Sequence, residues 1–117
     1  MPGLADRTCE PCKGGVPPLS AEQWQPLQAE LAATWEVVEG HHLSGKFKFR
    51  DFAEALAYTN RVGALAEQVF HHPDHPDLQL SWGAVRVEIW THKINGLHEA
   101  DFIFAAKCDR LYAERDA

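Results

Sequence analysis

Apolar and polar residues alternate in two separate stretches of this chain, and that pattern requires a fold containing a sheet with one covered face. Residues 42–50 alternate throughout, whereas residues 78–92 alternate on either side of Gly83, which predicts a hairpin. A shorter apolar stretch at residues 35–38 is followed by a break at Gly40 and is also typical of a strand. We therefore expect four strands, each with one row of side chains in the core.

Three other stretches space their apolar residues by three and four, which predicts helices at about 20–33, 51–70 and 98–114. The first two begin with capping-box patterns at residues 20–23 and 51–54. The buried stripe expected on the middle helix is Phe52, Ala55, Leu56, Thr59, Val62, Gly63, Ala66 and Val69. The order α-β-β-α-β-β-α predicts an α+β fold, a four-stranded antiparallel sheet with three helices packed on one face.

The chain has 117 residues, 45% of them apolar, which suits one domain with a real hydrophobic core. Residues 1–18 hold four of the seven prolines and three of the eight glycines, so we expect a flexible tail there and a single domain over residues 19–117. On the uncovered side of the sheet, Trp82 and Trp90 are expected to leave an apolar face or edge that favours self-association.

Acidic residues exceed basic ones, which argues against a nucleic-acid partner. Seventeen acids against eleven scattered bases give a formal net charge of −6, which repels phosphate backbones. No stretch approaches the roughly 20 apolar residues of a bilayer crossing, and residues 1–9 lack the apolar block of a signal peptide. We therefore expect a cytoplasmic protein with no membrane partner.

Three cysteines do not form a disulfide framework. Cys9 and Cys12 make a single C-x-x-C among prolines and glycines, whereas a structural zinc site normally needs two such pairs. A redox pair would open a helix after a buried strand, and the surrounding prolines disfavour that arrangement. Cys108 lies in a helical apolar pattern and is expected to be a small core residue.

Seven histidines are many for this length, and most of them fall into groups. The end of the second predicted helix delivers His71 and His72 into a loop that Pro73 constrains, and His92 ends the last strand. Carboxylates that could orient or charge-balance these rings are Glu67, Asp74 and Asp101. Several imidazoles without a nucleophile suit proton transfer.

Two other interpretations of the histidines stay open at this point. They could be surface residues that cap a helix and a strand, or His71, His72, His75 and His92 could supply ligands to zinc. Adjacent histidines point apart in extended chain and no H-x-x-x-H helix face is present, so no metal site is expected. His41 and His42 precede a strand and no acidic partner is expected near them, so a solvated turn is expected.

The segments Glu67-x-x-x-His71-His72-Pro73-Asp74, Trp90-Thr91-His92-x-x-x-Gly96-Leu97-x-Glu99-x-Asp101-Phe102 and Ala105-Ala106-Lys107 share a family pattern. Over about residues 20–113 the chain resembles the pterin-4a-carbinolamine dehydratase family. The resemblance implies the α+β fold expected above and a homodimer or a tetramer built from dimers. It also implies a hydro-lyase that dehydrates 4a-hydroxytetrahydrobiopterin to quinonoid dihydropterin and so recycles a pterin cofactor. The pterin is then the substrate, and no further cofactor and no metal are implied.

Residue roles follow from the same resemblance. It implies functional roles for His71, His72 and His92, with Glu67 and Asp101 as supporting acids. Among the histidines, we expect His72 and His92 to carry the proton transfers and His71 to position the substrate. The substrate contacts that it implies are Asp74, Trp90 and Thr91.

The chain departs from the family pattern in two places. His-Pro-Asp occurs twice, at residues 72–74 and 75–77, so either the loop absorbs an insertion or His75 takes the place of His72. The spacing from Glu67 favours His72. His98 stands where members often have a serine or threonine cap, which is expected to weaken the start of the last helix modestly.

Functions other than dehydration also fit this family. Its members include a protein-binding dimerisation cofactor of a transcription factor, which acts through a helix surface. Pterin handling linked to molybdenum cofactor metabolism is a further alternative.

Overall fold

The computed structural model describes residues 18–69, 76–91 and 94–114. The predicted elements all form, in the predicted order: α1 Ala21–Gln28, β1 Glu36–Val38, β2 His42–Lys48, α2 Phe52–Val69, β3 Asp77–Ser81, β4 Ala84–Ile89 and α3 Glu99–Ala113. The strands form one antiparallel sheet in the order β1-β2-β4-β3. The α+β fold is therefore confirmed.

One face of the sheet is the core, as the alternation predicts. Leu43 and Phe47 on β2 and Val85, Val87 and Ile89 on β4 are all buried. Helix α3 covers them with apolar side chains, and the predicted core residue Cys108 is fully buried. The apolar side chains that α3 buries are Ala100, Phe102, Ile103, Phe104, Ala105, Ala106 and Cys108.

The other face of the sheet is mostly polar, which corrects the expectation of an apolar face. Its described side chains include Glu36, His42, Ser44, Lys46, Lys48, Asp77, Gln79, Arg86 and Glu88. Among the described residues, the most exposed large apolar side chain is Trp82 at the β3–β4 turn, which is 70% accessible.

Helix α2 buries Ala55, Val62 and Ala66 of the predicted stripe and departs from it at three positions. Phe52 and Leu56 are exposed, whereas Tyr58 is buried in the core. The Tyr58 hydroxyl donates to the backbone carbonyl of Cys108 at 2.9 Å, so its polar end is satisfied inside the core. Burial raises the pKa of Tyr58 far above its ordinary value, and this hydroxyl therefore stays protonated as a donor.

Helix α1 is shorter than predicted because side chains distant in sequence hold the chain that follows it. Its capping box forms, and Gln23 Oε1 accepts from Ser20 N at 2.8 Å. After Gln28, the Asp109 carboxylate of α3 accepts from Ala32 N at 2.9 Å and from the Trp35 indole Nε1 at 2.8 Å. These contacts turn the chain into the core.

Asp109 is half-buried against the segment that follows α1. Burial raises the pKa of this carboxyl, and the hydrogen bonds from Ala32 and Trp35 oppose the rise without cancelling it. The carboxylate therefore serves as a tertiary contact between α3 and the segment after α1.

Gly45 has a specific packing role on β2, and its replacement by alanine is expected to destabilise the fold. A Cβ at Gly45 would lie 2.8 Å from two ring carbons of Trp35, which is fully inside the core. We expect Gly45→Ala to lower the free energy of unfolding by about 1–3 kcal/mol, the usual effect of overpacking. Urea unfolding followed by tryptophan fluorescence measures the change.

Gly63 in α2 is the matched control for Gly45. A Cβ there meets no atom within 4 Å, so Gly63→Ala is expected to raise the free energy of unfolding by about 0.5–1 kcal/mol through helix propensity. Equal effects of the two substitutions would contradict the packing argument.

No helix in the described part of the chain is both long enough and apolar enough to cross a lipid bilayer.

Candidate active site

The structure describes four of the predicted site residues. Glu67, Trp90, Thr91 and Asp101 fall within its ranges. The other predicted site residues, together with the alternative His75, lie outside the described residues: His71, His72, Asp74 and His92. Their roles stay predictions.

The topology brings the described flanks of both histidine segments to one end of the sheet. Helix α2 ends at Val69, and the chain returns to the sheet at Asp77, which is the register partner of Glu88 on β4. Trp90 and Thr91 follow β4 directly. The segment that contains His71 and His72 in sequence therefore rejoins the sheet beside the segment that leads to His92.

Asp101 is the most enclosed of the described site residues, with 1% of its surface exposed. Its Oδ2 accepts from Thr91 Oγ1 and from His98 N, both at 2.8 Å. It lies in the first turn of α3, where the helix dipole favours a negative charge. Asp101 thus ties the end of β4 to the start of α3, a role that the helical pattern did not predict.

His98 caps α3 together with Asp101. Its Nδ1 accepts from Ala100 N at 3.3 Å, and Asp101 satisfies the His98 backbone N–H in return. The long contact at Nδ1 agrees with the expectation that imidazole is a modest cap.

The turn between Thr91 and Gly96 is held by backbone hydrogen bonds. Thr91 N donates to Gly96 O at 2.8 Å, and Gly96 N donates to Thr91 O at 3.3 Å. Asn95 adopts a φ of 50°, which asparagine tolerates better than most residues. Gly96 packs against Pro18, where a Cβ would lie 2.6 Å from the proline ring, so glycine is needed there. The Asn-Gly sequence at 95–96, a pair typical of turns, thus forms a turn here.

Glu67 is exposed in the last turns of α2. This position leaves its carboxylate close to the point where the chain leaves the helix for the histidine segment. It is consistent with a supporting acid, and that role stays a prediction.

His41 and His42 form a polar cluster at the same end of the sheet, where a solvated turn without an acidic partner was expected. His42 Nε2 lies 3.3 Å from Glu88 Oε2, and His41 Nε2 lies 2.8 Å from Asn95 Oδ1. Both imidazoles pack near the Trp90 ring, at centroid distances of 5.3 and 5.8 Å. The expectation was wrong because Glu88 is distant in sequence but adjacent across the β2–β4 pair. The sequence signal that could have indicated this cluster is the position of the two histidines at the start of an alternating strand, where side chains of a neighbouring strand come close.

Several concavities lined by described residues lie elsewhere in the fold. One lies between Phe49, Tyr58 and Arg61 near the start of α2, and another follows the polar sheet face along Lys46, Lys48 and Arg86. A cavity between the predicted catalytic histidines stays a prediction, because its expected walls fall outside the described residues.

The described residues contain no group of three or more histidine, cysteine, aspartate or glutamate side chains arranged to hold a metal ion. The four histidines considered as zinc ligands lie outside the described residues.

Comparison with known proteins decides the family. A sequence profile described as pterin 4 alpha carbinolamine dehydratase matches residues 17–111. This chain belongs to the pterin-4a-carbinolamine dehydratase family. The match includes both histidine segments and nearly all of the described fold.

Similar proteins carry the same family name. The chain is 53% identical over 111 residues to a protein of Rubrobacter xylanophilus, covering 95% of this chain and all of that one. It is 48% identical over 114 residues to a protein of Alkaliphilus metalliredigens, covering 97% of this chain and all of the relative. Both relatives are named as candidate pterin-4-alpha-carbinolamine dehydratases.

A solved structure shows the same fold. The crystal structure of a transcriptional coactivator/pterin dehydratase from Brucella melitensis matches with a TM-score of 0.73 and 27% sequence identity. The match covers 81% of this chain and 98% of the Brucella chain.

Proposed function

We propose that this chain is a hydro-lyase that dehydrates 4a-hydroxytetrahydrobiopterin, or a closely related 4a-hydroxytetrahydropterin, to quinonoid dihydropterin in the cytoplasm. The observation that carries the proposal is the family match over residues 17–111, which spans both histidine segments. The names of the relatives in Rubrobacter and Alkaliphilus support it. The convergence of both segment flanks at one end of the sheet also supports it.

The reaction needs two proton transfers and no external oxidant. The C4a–O bond breaks as the hydroxyl gains a proton and leaves as water, while N5 loses its proton and forms a double bond to C4a. An imidazolium near the hydroxyl would act as the general acid, and a neutral imidazole near N5 would act as the base. We assign these transfers to His72 and His92, and the positioning of the substrate to His71.

The described residues supply the support for these groups. Asp101 holds the Thr91 hydroxyl at 2.8 Å, and so fixes the residue before His92. Glu67 lies on the last turns of α2, before His71 in sequence. Asp74, Trp90 and Thr91 are proposed as substrate contacts. The pterin is the substrate in this scheme, and the proposal includes no other cofactor.

The direct test is a stopped-flow assay with a freshly generated 4a-hydroxytetrahydropterin. The purified chain is expected to accelerate the conversion to quinonoid dihydropterin, in proportion to protein concentration and above the uncatalysed rate. Absorbance reports the product, and circular dichroism confirms that the sample is folded. A folded sample that leaves the rate unchanged would contradict the proposed function.

A protein-binding role is the second candidate, and one observation favours it. Phe52 and Leu56 lie one turn apart on α2 and are 46% and 40% exposed, which leaves an apolar surface on this helix. The Brucella structure is named both coactivator and dehydratase.

We propose that this surface of α2 supports a homodimer or a tetramer built from dimers. Light scattering of the purified chain measures its mass, and a monomer at micromolar concentration would contradict this assembly.

A further inference from the structure

Four side chains from three parts of the fold form a continuous row of polar contacts beside the candidate site. Glu88 Oε2 lies 3.3 Å from His42 Nε2, and the two imidazoles meet at 3.1 Å through their Nδ1 atoms. His41 Nε2 then lies 2.8 Å from Asn95 Oδ1. This row of contacts therefore runs from β4, through the start of β2, to the turn that follows Thr91.

The acceptor atoms at the two ends of this row of contacts determine which ring nitrogens of His41 and His42 carry hydrogens. A carboxylate oxygen and an amide oxygen both accept, so both Nε2 atoms carry a hydrogen. The two Nδ1 atoms face each other, so one of them donates to the other. His41 therefore donates from Nε2 to Asn95 Oδ1, and the Trp90 ring packs beside both imidazoles.

The two residues that precede His41 adopt left-handed backbone conformations. Glu39 and Gly40 have φ values of 55° and 67°, and His41 N donates to Val38 O at 2.9 Å, which defines a tight turn. Asn95, the acceptor of His41, has a φ of 50°. Among the described residues, Glu39 and Asn95 are the non-glycine positions with positive φ, and both adjoin this contact. Such conformations persist where the surrounding structure holds them, and they cluster at functional sites.

We propose that His41 is a positioning residue for the dehydration reaction. Its Nε2–H holds Asn95, and through Asn95 it holds the turn that closes on Thr91 in the conformation that the reaction uses. His42 and Glu88 orient the His41 ring. This inference rests on the proposed function, because the reaction is the process that the turn serves.

The physical reason is that the turn is anchored from two sides. On the core side, Thr91 is tied to Asp101 by the 2.8 Å hydrogen bond. On the polar side of the sheet, Asn95 is tied to His41. Loss of the second anchor leaves the turn to its backbone bridge between Thr91 and Gly96, and small displacements of reacting groups reduce rates steeply.

The experiment separates the two nitrogens of His41 by amide substitutions. In His41→Gln the amide nitrogen replaces Nε2 and can still donate to Asn95. In His41→Asn the amide nitrogen replaces Nδ1 and cannot reach Asn95. We expect His41→Asn and His41→Ala to lower kcat about tenfold with little change in KM, because only the geometry of the reacting groups is disturbed. His41→Gln is expected to recover kcat to within about threefold of the unsubstituted chain.

Asn95 supplies the matched variants on the other side of the contact. Asn95→Asp keeps an acceptor and tolerates the positive φ, so it is expected to behave like His41→Gln. Asn95→Gly relieves the backbone but removes the acceptor, so it is expected to behave like His41→Asn. Thermal unfolding of every variant separates loss of folded protein from loss of rate.

Each result bears on a different claim. An inactive, folded parent chain overturns the proposed function and this inference with it. An active parent with an unaffected His41→Ala overturns the inference alone. Equal losses in His41→Gln and His41→Asn also overturn it, because the Asn95 contact would then not be the source of the effect.

Discussion

Replacing His72 by alanine is expected to lower kcat for the dehydration by about 10²- to 10⁴-fold, the usual contribution of a general acid or base. The physical reason is that the departing hydroxyl must leave as water, and a neutral alanine offers no proton at that position. Because N5 must also lose a proton, His92→Ala is expected to reduce kcat to a similar degree. Stopped-flow rates at saturating pterin measure both effects.

His75 is the control that the chain itself offers, since it heads the second copy of the His-Pro-Asp triplet. If the loop absorbs the insertion, His75→Ala retains most of the activity while His72→Ala loses it. The reverse result would show that His75 occupies the catalytic position and that the register has shifted by one triplet. If neither substitution affects kcat, the histidine mechanism fails even though the chain remains a member of the family.

The alternation of residues predicted the sheet because one of its faces is buried. Leu43 and Phe47 alternate with Lys46 and Lys48, and a shift by one residue would place both lysines in the core. Helix spacing was less decisive in α2, where two overlapping stripes were both apolar. Tyr58 entered the core in place of Leu56 because its hydroxyl finds the Cys108 carbonyl, a partner that no local pattern predicts.

Contacts between residues distant in sequence explain what was missed. The end of α1 depends on Asp109, which accepts from Ala32 at a separation of 77 residues. The surroundings of His42 depend on Glu88, whose carboxylate becomes its neighbour only after β2 and β4 pair. The candidate site was predicted from spacing, whereas its support by such contacts was visible only in the fold.

Asp101→Ala is expected to lower the free energy of unfolding by about 2–5 kcal/mol, a large effect for one buried side chain. The carboxylate is 1% exposed and accepts from both Thr91 Oγ1 and His98 N, so alanine leaves two enclosed donors without this acceptor. It also removes the negative charge from the first turn of α3. Urea unfolding followed by tryptophan fluorescence measures the loss, and kcat is expected to fall as well because Thr91 precedes His92.

Thr91→Val separates the two bonds of Asp101. It removes only the hydroxyl donor and leaves the carboxylate on His98 N, so it is expected to destabilise by about 1–2 kcal/mol, less than Asp101→Ala. In the double variant the two losses are expected to be less than additive, because both substitutions remove the same 2.8 Å hydrogen bond. Strictly additive losses, or an Asp101→Ala chain as stable as its parent, would show that this carboxylate does not join β4 to α3.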